Sequence, residues 1–275
     1  MSTTVRIFTA ASSATAPEQC RGHVLVSGSY GGEYNAFHAG RRGVRGVILN
    51  DAGVGKDHAG IRGLTYLDRV GLAAATADTL SCHIGDGAHM LQHGMVSYVN
   101  RHAARFGCTP GQSVSACAER LKAAPIVEAT MPPVSGGGRW LVHDEPGAPR
   151  VICLDAAPML EAGDAGSIVV TGSHAALLGG KPDGLIAPAV RAIFFSDAGV
   201  GMDRAGVARL PLLDERGIPA GTASVDSAAI GDARSIHAEG VCSFVNAAAA
   251  ALGGSPGMPV RDFIGLLIAR WRCGP

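Results

Sequence analysis

A shift of 146 residues lays the first half of this chain on its second. It carries Asp51, Gly53, Gly55, Asp57 and Gly60 onto Asp197, Gly199, Gly201, Asp203 and Gly206, and runs without a gap to Gly111 and Gly257. Roughly half of the positions in this stretch are identical, including Ser81 with Ser227, Ile84-Gly85-Asp86 with Ile230-Gly231-Asp232, and Val99-Asn100 with Val245-Asn246. Shared compositional bias does not produce so ordered a match. Upstream, VLVSGS at 24–29 meets IVVTGS at 168–173 at a shift of 144, and VRIFTAA at 5–11 meets VICLDAA at 151–157. The chain reads as a tandem duplication: a first α/β repeat over 1–125, a linker or crossing hairpin over 126–150, and a second α/β repeat over 151–275.

Within each repeat, short apolar runs alternate with helical spacing, the pattern of βαβ units and a mostly parallel sheet. In the first repeat VRIFTA, HVLVSG, GVILND and LAAATA read as strands. Ile61, Leu64, Leu67 and Val70 fall at helical spacing and predict one amphipathic helix from Lys56 to Val70. Further helices are predicted over Asp86–His93 and Val99–Phe106, in GQSVSACAERLKAA and in PVRDFIGLLIARW. The expected fold is two similar α/β halves with mostly parallel sheets and pseudo-twofold symmetry.

Composition narrows the function classes. A 47% hydrophobic content supports a buried core, and 23 basic side chains balance 23 acidic ones, so no global field draws in nucleic acid. No stretch approaches the roughly 20 apolar residues of a membrane span. Seven cysteines without a CxxC pair fit reduced thiols better than a disulfide framework. Catalytic cysteines at equivalent places in the two halves, as in pseudosymmetric racemases, are excluded, because Cys82 faces Ala228 and Cys242 faces Val96.

Ligands of open parallel sheets bind beyond the carboxyl ends of the strands. NDAGVGKD at 50–57 and SDAGVGMD at 196–203 stand at that edge. Gly53, Gly55, Gly199 and Gly201 allow close backbone approach, and a helix N-terminus offers N–H groups to a carboxylate or phosphate. Asp51 and Asp197 directly follow a strand, where a carboxylate serves as a base, an orienter or a magnesium ligand. The competing reading gives Asp57 and Asp203 to helix capping and the glycines to a tight turn. Neither GxGxxG nor a P-loop is present.

Two further loops reach the same edge. Ser29 and Tyr30 correspond to Ser173 and His174, so equivalent positions carry different proton-handling groups. In SCHIGDGAHMLQHG, His83, His89 and His93 with Asp86 offer nitrogen and oxygen ligands to a divalent metal, against the alternative of surface or helix-packing histidines. Their counterparts are Ala229, Ser235, Glu239 and Asp232. Lys56, which faces Met202, is placed to neutralise a substrate carboxylate or an oxyanion.

These positions predict a cytoplasmic small-molecule enzyme, a hydrolase or lyase acting on a polar carboxylated or amide-containing metabolite. Asp51, Asp197, His174, Lys56 and Asp86 are the catalytic candidates, and Ser29, Tyr30, Asn50, Gly53, Gly55, Ser173, Gly199, Gly201 and Asp232 the ligand contacts. The alternatives are a noncatalytic metabolite-binding or sensing protein and a structural subunit of an enzyme complex. The alanine-rich VNAAAAALGG motivates a homo-oligomer.

Overall fold

The computed structural model describes residues 4–134, 136–182 and 188–272. Two mixed sheets carry the two halves. In the first, β1 (Ile7–Ala10), β2 (Val24–Tyr30), β3 (Gly46–Asn50) and β4 (Ala73–Ala77) run parallel in sequential order, and β5 (Val96–Val99) closes the edge antiparallel to β4. In the second, β7 (Val151–Leu154), β8 (Ile168–His174), β9 (Ala192–Ser196) and β10 (Ala220–Ala223) repeat the parallel core and β11 (Cys242–Val245) the antiparallel edge. A sixth strand, β6 (Arg139–His143), lies inside the connecting segment and pairs antiparallel with β7.

Every residue of β3, β4, β9 and β10 is buried. Strands covered on both faces read as continuous apolar runs, which is why GVILN and AAATA show no alternation. Nine helices among the described residues do the covering: α1 (Glu33–Arg41), α2 (Arg62–Arg69), α3 (Gly87–His93), α4 (Arg101–Arg105) and α5 (Val114–Leu121), then α6 (Arg209–Glu215), α7 (Ala233–Glu239), α8 (Ala247–Ala251) and α9 (Val260–Arg272). In the first half, Met90, Val114 and Leu121 pack on one face of the sheet and Leu25, Leu49 and Leu67 on the other. Phe194, Phe263 and Leu267 oppose Ile193, Phe195 and Leu213 in the second.

The helix expected over Lys56–Val70 is interrupted. Asp57 and His58 have φ of 51° and 57°, in the left-handed region that an α-helix does not tolerate, so Lys56–His58 is a single 3₁₀ turn and α2 begins at Arg62. The segment expected as a helix from Val99 to Phe106 starts as the end of β5. There Asn100 Oδ1 accepts from Ala103 N at 2.9 Å and caps α4.

Helix α1 is absent from the sequence reading and has no helical counterpart among the described residues of 175–191. Its partner α2 carries Gly63, where a β-carbon would stand 2.8 Å from Ala36 Cβ of α1. At the equivalent place the second half has Arg209, a buried guanidinium that donates to Ala176 O at 2.8 Å and lies 5.5 Å over the Phe195 ring. A long side chain stands where the first half has a packed helix.

Candidate functional site

The duplicated string forms the contact between the halves. Lys56 N donates to Val225 O at 2.8 Å, and its equivalent Met202 N donates to Thr79 O, the equivalent carbonyl, at 2.9 Å. A β-carbon on Gly53 would stand 3.0 Å from Gly199 Cα, and one on Gly199 would stand 3.0 Å from Gly53 Cα. This reciprocity is the signature of a pseudo-twofold axis passing between the two turns. Ala52, Ile84, Ala198, Val225 and Ile230 pack around it.

The turns themselves are strained. Ala52 and Val54 have φ of 49° and 64°, and Ala198 and Val200 have φ of 50° and 65°, each costing about 1–2 kcal/mol in an isolated chain. Asp51 and Asp197 hold them in place. Asp51 Oδ1 accepts from Gly53 N at 3.0 Å and Thr79 N at 2.9 Å, and Asp197 Oδ1 accepts from Gly199 N and Val225 N, both at 3.0 Å. Both carboxyls are 4% exposed. Burial pushes both pKa values up, against the N–H and hydroxyl donors that favour the anion. Asn50 Oδ1 and Ser196 Oγ do one job with different atoms, accepting from Ala52 N and Ala198 N.

Several other candidates are likewise engaged in holding the fold. Asp86 and Asp232 cap α3 and α7 through Oδ1. Lys56 Nζ pairs with Glu239 Oε2 across the seam at 3.1 Å. Ser29 Oγ accepts from Ser13 N, and Ser173 Oγ from Ala157 N. His174 is 8% exposed, its Nδ1 accepts from Ala176 N, and burial followed by the nearby Arg209 charge pulls its pKa down to about 3. The rings of His83 and His89 stack at 3.7 Å, and His83 Nε2 meets Asp203 Oδ2 at 2.8 Å. No group of three or more His, Cys, Asp or Glu side chains among the described residues is arranged to hold a metal ion.

Tyr30 and Asp232 are brought together in a cleft of about 500 Å³ between the halves, beyond the carboxyl ends of β2 and β7. The first half contributes Tyr30, Glu33, Tyr34 and Arg62, the second Asp155, Asp232 and Arg234, and strand β6 of the connecting segment Trp140. Both carboxylate oxygens of Asp155 are oriented by backbone: Oδ2 accepts from Gly138 N at 2.9 Å and Oδ1 from Ala233 N at 3.1 Å. Burial and then the neighbouring Asp232 raise its pKa, against these two donors and Arg234. Arg234 is stacked 4.3 Å over Trp140. The Tyr30 hydroxyl lies so close to Gly231 that a β-carbon there would stand 2.1 Å from it. Burial, Asp155, Tyr34 and Asp232 all keep this phenol protonated.

Among the described residues, the symmetry-equivalent place in the other direction keeps Asp86 for Asp232 and has His174 for Tyr30, but lacks the oriented carboxylate and the two guanidiniums. Thr9 stands where the second half has Asp155, Ala88 where it has Arg234, and Ala208 where the first half has Arg62. Asp155, Arg234, Glu33, Tyr34 and Arg62 were missed by weighing the residues that the two repeats share. The signal that reveals Asp155 is its replacement of Thr9 at the end of an otherwise matching strand. No protein-family model matches this chain, and no curated protein or solved structure is detectably similar to it.

Proposed function

We propose that the chain is a small-molecule enzyme whose active site is the cleft between the halves, and that it performs hydrolase or lyase chemistry on a polar carboxylated or amide-containing metabolite. The observation that carries this reading is the one-sided arming of a duplicated edge: an oriented carboxylate, a protonated phenol and two guanidiniums meet on one side only. Asp155 is the proton-transfer group, because its raised pKa moves a fixed carboxylate toward working pH. Tyr30 donates a hydrogen bond or a proton to the oxygen on which charge develops. Arg62 and Arg234 bind the substrate carboxylate from opposite walls, with Arg234 preset by its stacking on Trp140. The acid–base role expected of His174 passes to Tyr30, while Asp51 and Asp197 hold the turns that set the distance between the walls.

The ligand class is a small anion rather than a nucleic acid, in keeping with the balanced charge. Six buried free thiols among the described residues support a reducing, cytoplasmic setting. The homo-oligomer motivated by α8 is tested by light scattering.

The experiment is a thermal-shift screen of mono- and dicarboxylates and their amides, followed by product analysis on every hit. Asp155→Asn and Tyr30→Phe are each expected to keep binding and lower turnover by about 100-fold or more. Hits that bind without turnover in the wild type assign the cleft to metabolite sensing, and hits whose binding survives loss of both Arg62 and Arg234 reject the site.

A further inference from the structure

A second cavity, of about 430 Å³, lies at the opposite ends of the strands. Arg21 precedes β2, and Arg41 and Arg42 end α1 ahead of β3; these three line the cavity with His38, Glu18 and Ala14. In a chain whose charges balance overall, three guanidiniums here face one carboxylate. None of the three makes an ion pair with a described residue. Compensating the carbonyl end of α1 is work for a single cation and does not require all three. Arg42 is fixed by a 2.8 Å bond from Nη2 to Ala14 O, and Arg41 lies 5.5 Å over the Phe37 ring. Beside them His38 Nε2 is buried without a hydrogen-bond partner among the described residues. Burial first, then the charges of Arg41 and Arg42, depress the pKa of that imidazole. The repeated fold does not demand Arg21, since the second half carries Ala165 in its place.

We propose that Arg21, Arg41 and Arg42, with His38, form a binding site for a polyphosphate group, separate from the cleft between the halves. Planar guanidiniums match phosphate oxygens in paired hydrogen bonds, and three of them suit two linked phosphates, whereas a carboxylate occupies one. The shared chemistry is a diphosphate or longer chain, either free or carried on a nucleoside.

Titration calorimetry of the whole chain at low salt against inorganic phosphate, pyrophosphate and ATP tests it. Pyrophosphate is expected to bind at least tenfold more tightly than phosphate. ATP binding more tightly than pyrophosphate assigns the site to a nucleotide, and equal affinities assign it to the bare polyphosphate chain. The double variant Arg21→Gln/Arg41→Gln removes two exposed side chains with no hydrogen bond to a described residue, so its unliganded melting temperature is expected to match wild type while pyrophosphate affinity falls at least tenfold. No pyrophosphate binding at millimolar concentration, or equal binding by a normally melting double variant, overturns the proposal.

Discussion

Gly55→Ala tests whether the seam between the halves rests on backbone contact. Gly55 has φ of 63°, and a β-carbon there would stand 2.8 Å from Val225 O and 2.4 Å from Val225 Cγ2. The carbonyl it would meet accepts the Lys56 N–H at 2.8 Å. Two costs follow. Gly55 combines this φ with ψ of −169°, a conformation nearly confined to glycine, and holding alanine there costs about 1–3 kcal/mol, while displacing Val225 O from a partly buried N–H adds about 1–3 kcal/mol. A loss of about 2–6 kcal/mol lowers the melting temperature by roughly 5–20 °C in a chain of this size. Gly147→Ala supplies the reference, because Gly147 has φ of 78° with nothing within 4 Å, so only the conformational cost applies. Urea denaturation of both variants measures the difference, expected at about 1–3 kcal/mol. Equal destabilisation of the two would refute the seam as a site of backbone contact.

Two further outcomes are expected. Asp51→Ala leaves the N–H groups of Gly53 and Thr79 without their acceptor and is expected to cost about 2–4 kcal/mol, whereas Asp51→Asn keeps an oxygen there, so denaturation together with turnover separates turn-holding from catalysis. Asp155 has a folded pKa above its unfolded value, so its contribution to stability is fully present below pH 3.8 and is lost as pH rises through the folded value. Urea midpoints between pH 4 and 7 should therefore show Asp155→Asn gaining on wild type as pH rises, and a constant gap would remove the burial argument.

What the sequence displayed plainly was whatever both repeats need. The strands from VRIFTA to LAAATA and the doubled turn follow from apolar runs and glycines, which act locally. Helix α1 was illegible because EYNAFHAGR buries Asn35, Ala36 and Ala39 and leaves Tyr34 and Phe37 only partly covered, so its apolar spacing does not mark the inward face. The strand β5 went unassigned and its last residue, Val99, was taken into a helix, because VSYV is short and only its pairing with β4 gives it a conformation. Asp51, Asp86 and their twins hold turns and helix caps in both halves, whereas the proposed site rests on differences between the repeats, Asp155 against Thr9 and Arg234 against Ala88. The convergence of Tyr30 on Asp155 depends on the distance between two sheets, which no local pattern encodes.

The seam has one more property. Its two reciprocal hydrogen bonds run between main-chain atoms at matching places, so the first half of one molecule meets the second half of another on the same terms as its own. Only the connector over 126–150 decides which of these it meets. A connector cut too short to fold back, with Gly138 and Trp140 spared for the cleft they line, would lead two chains to exchange halves, giving an intertwined dimer with both clefts intact and no newly evolved surface.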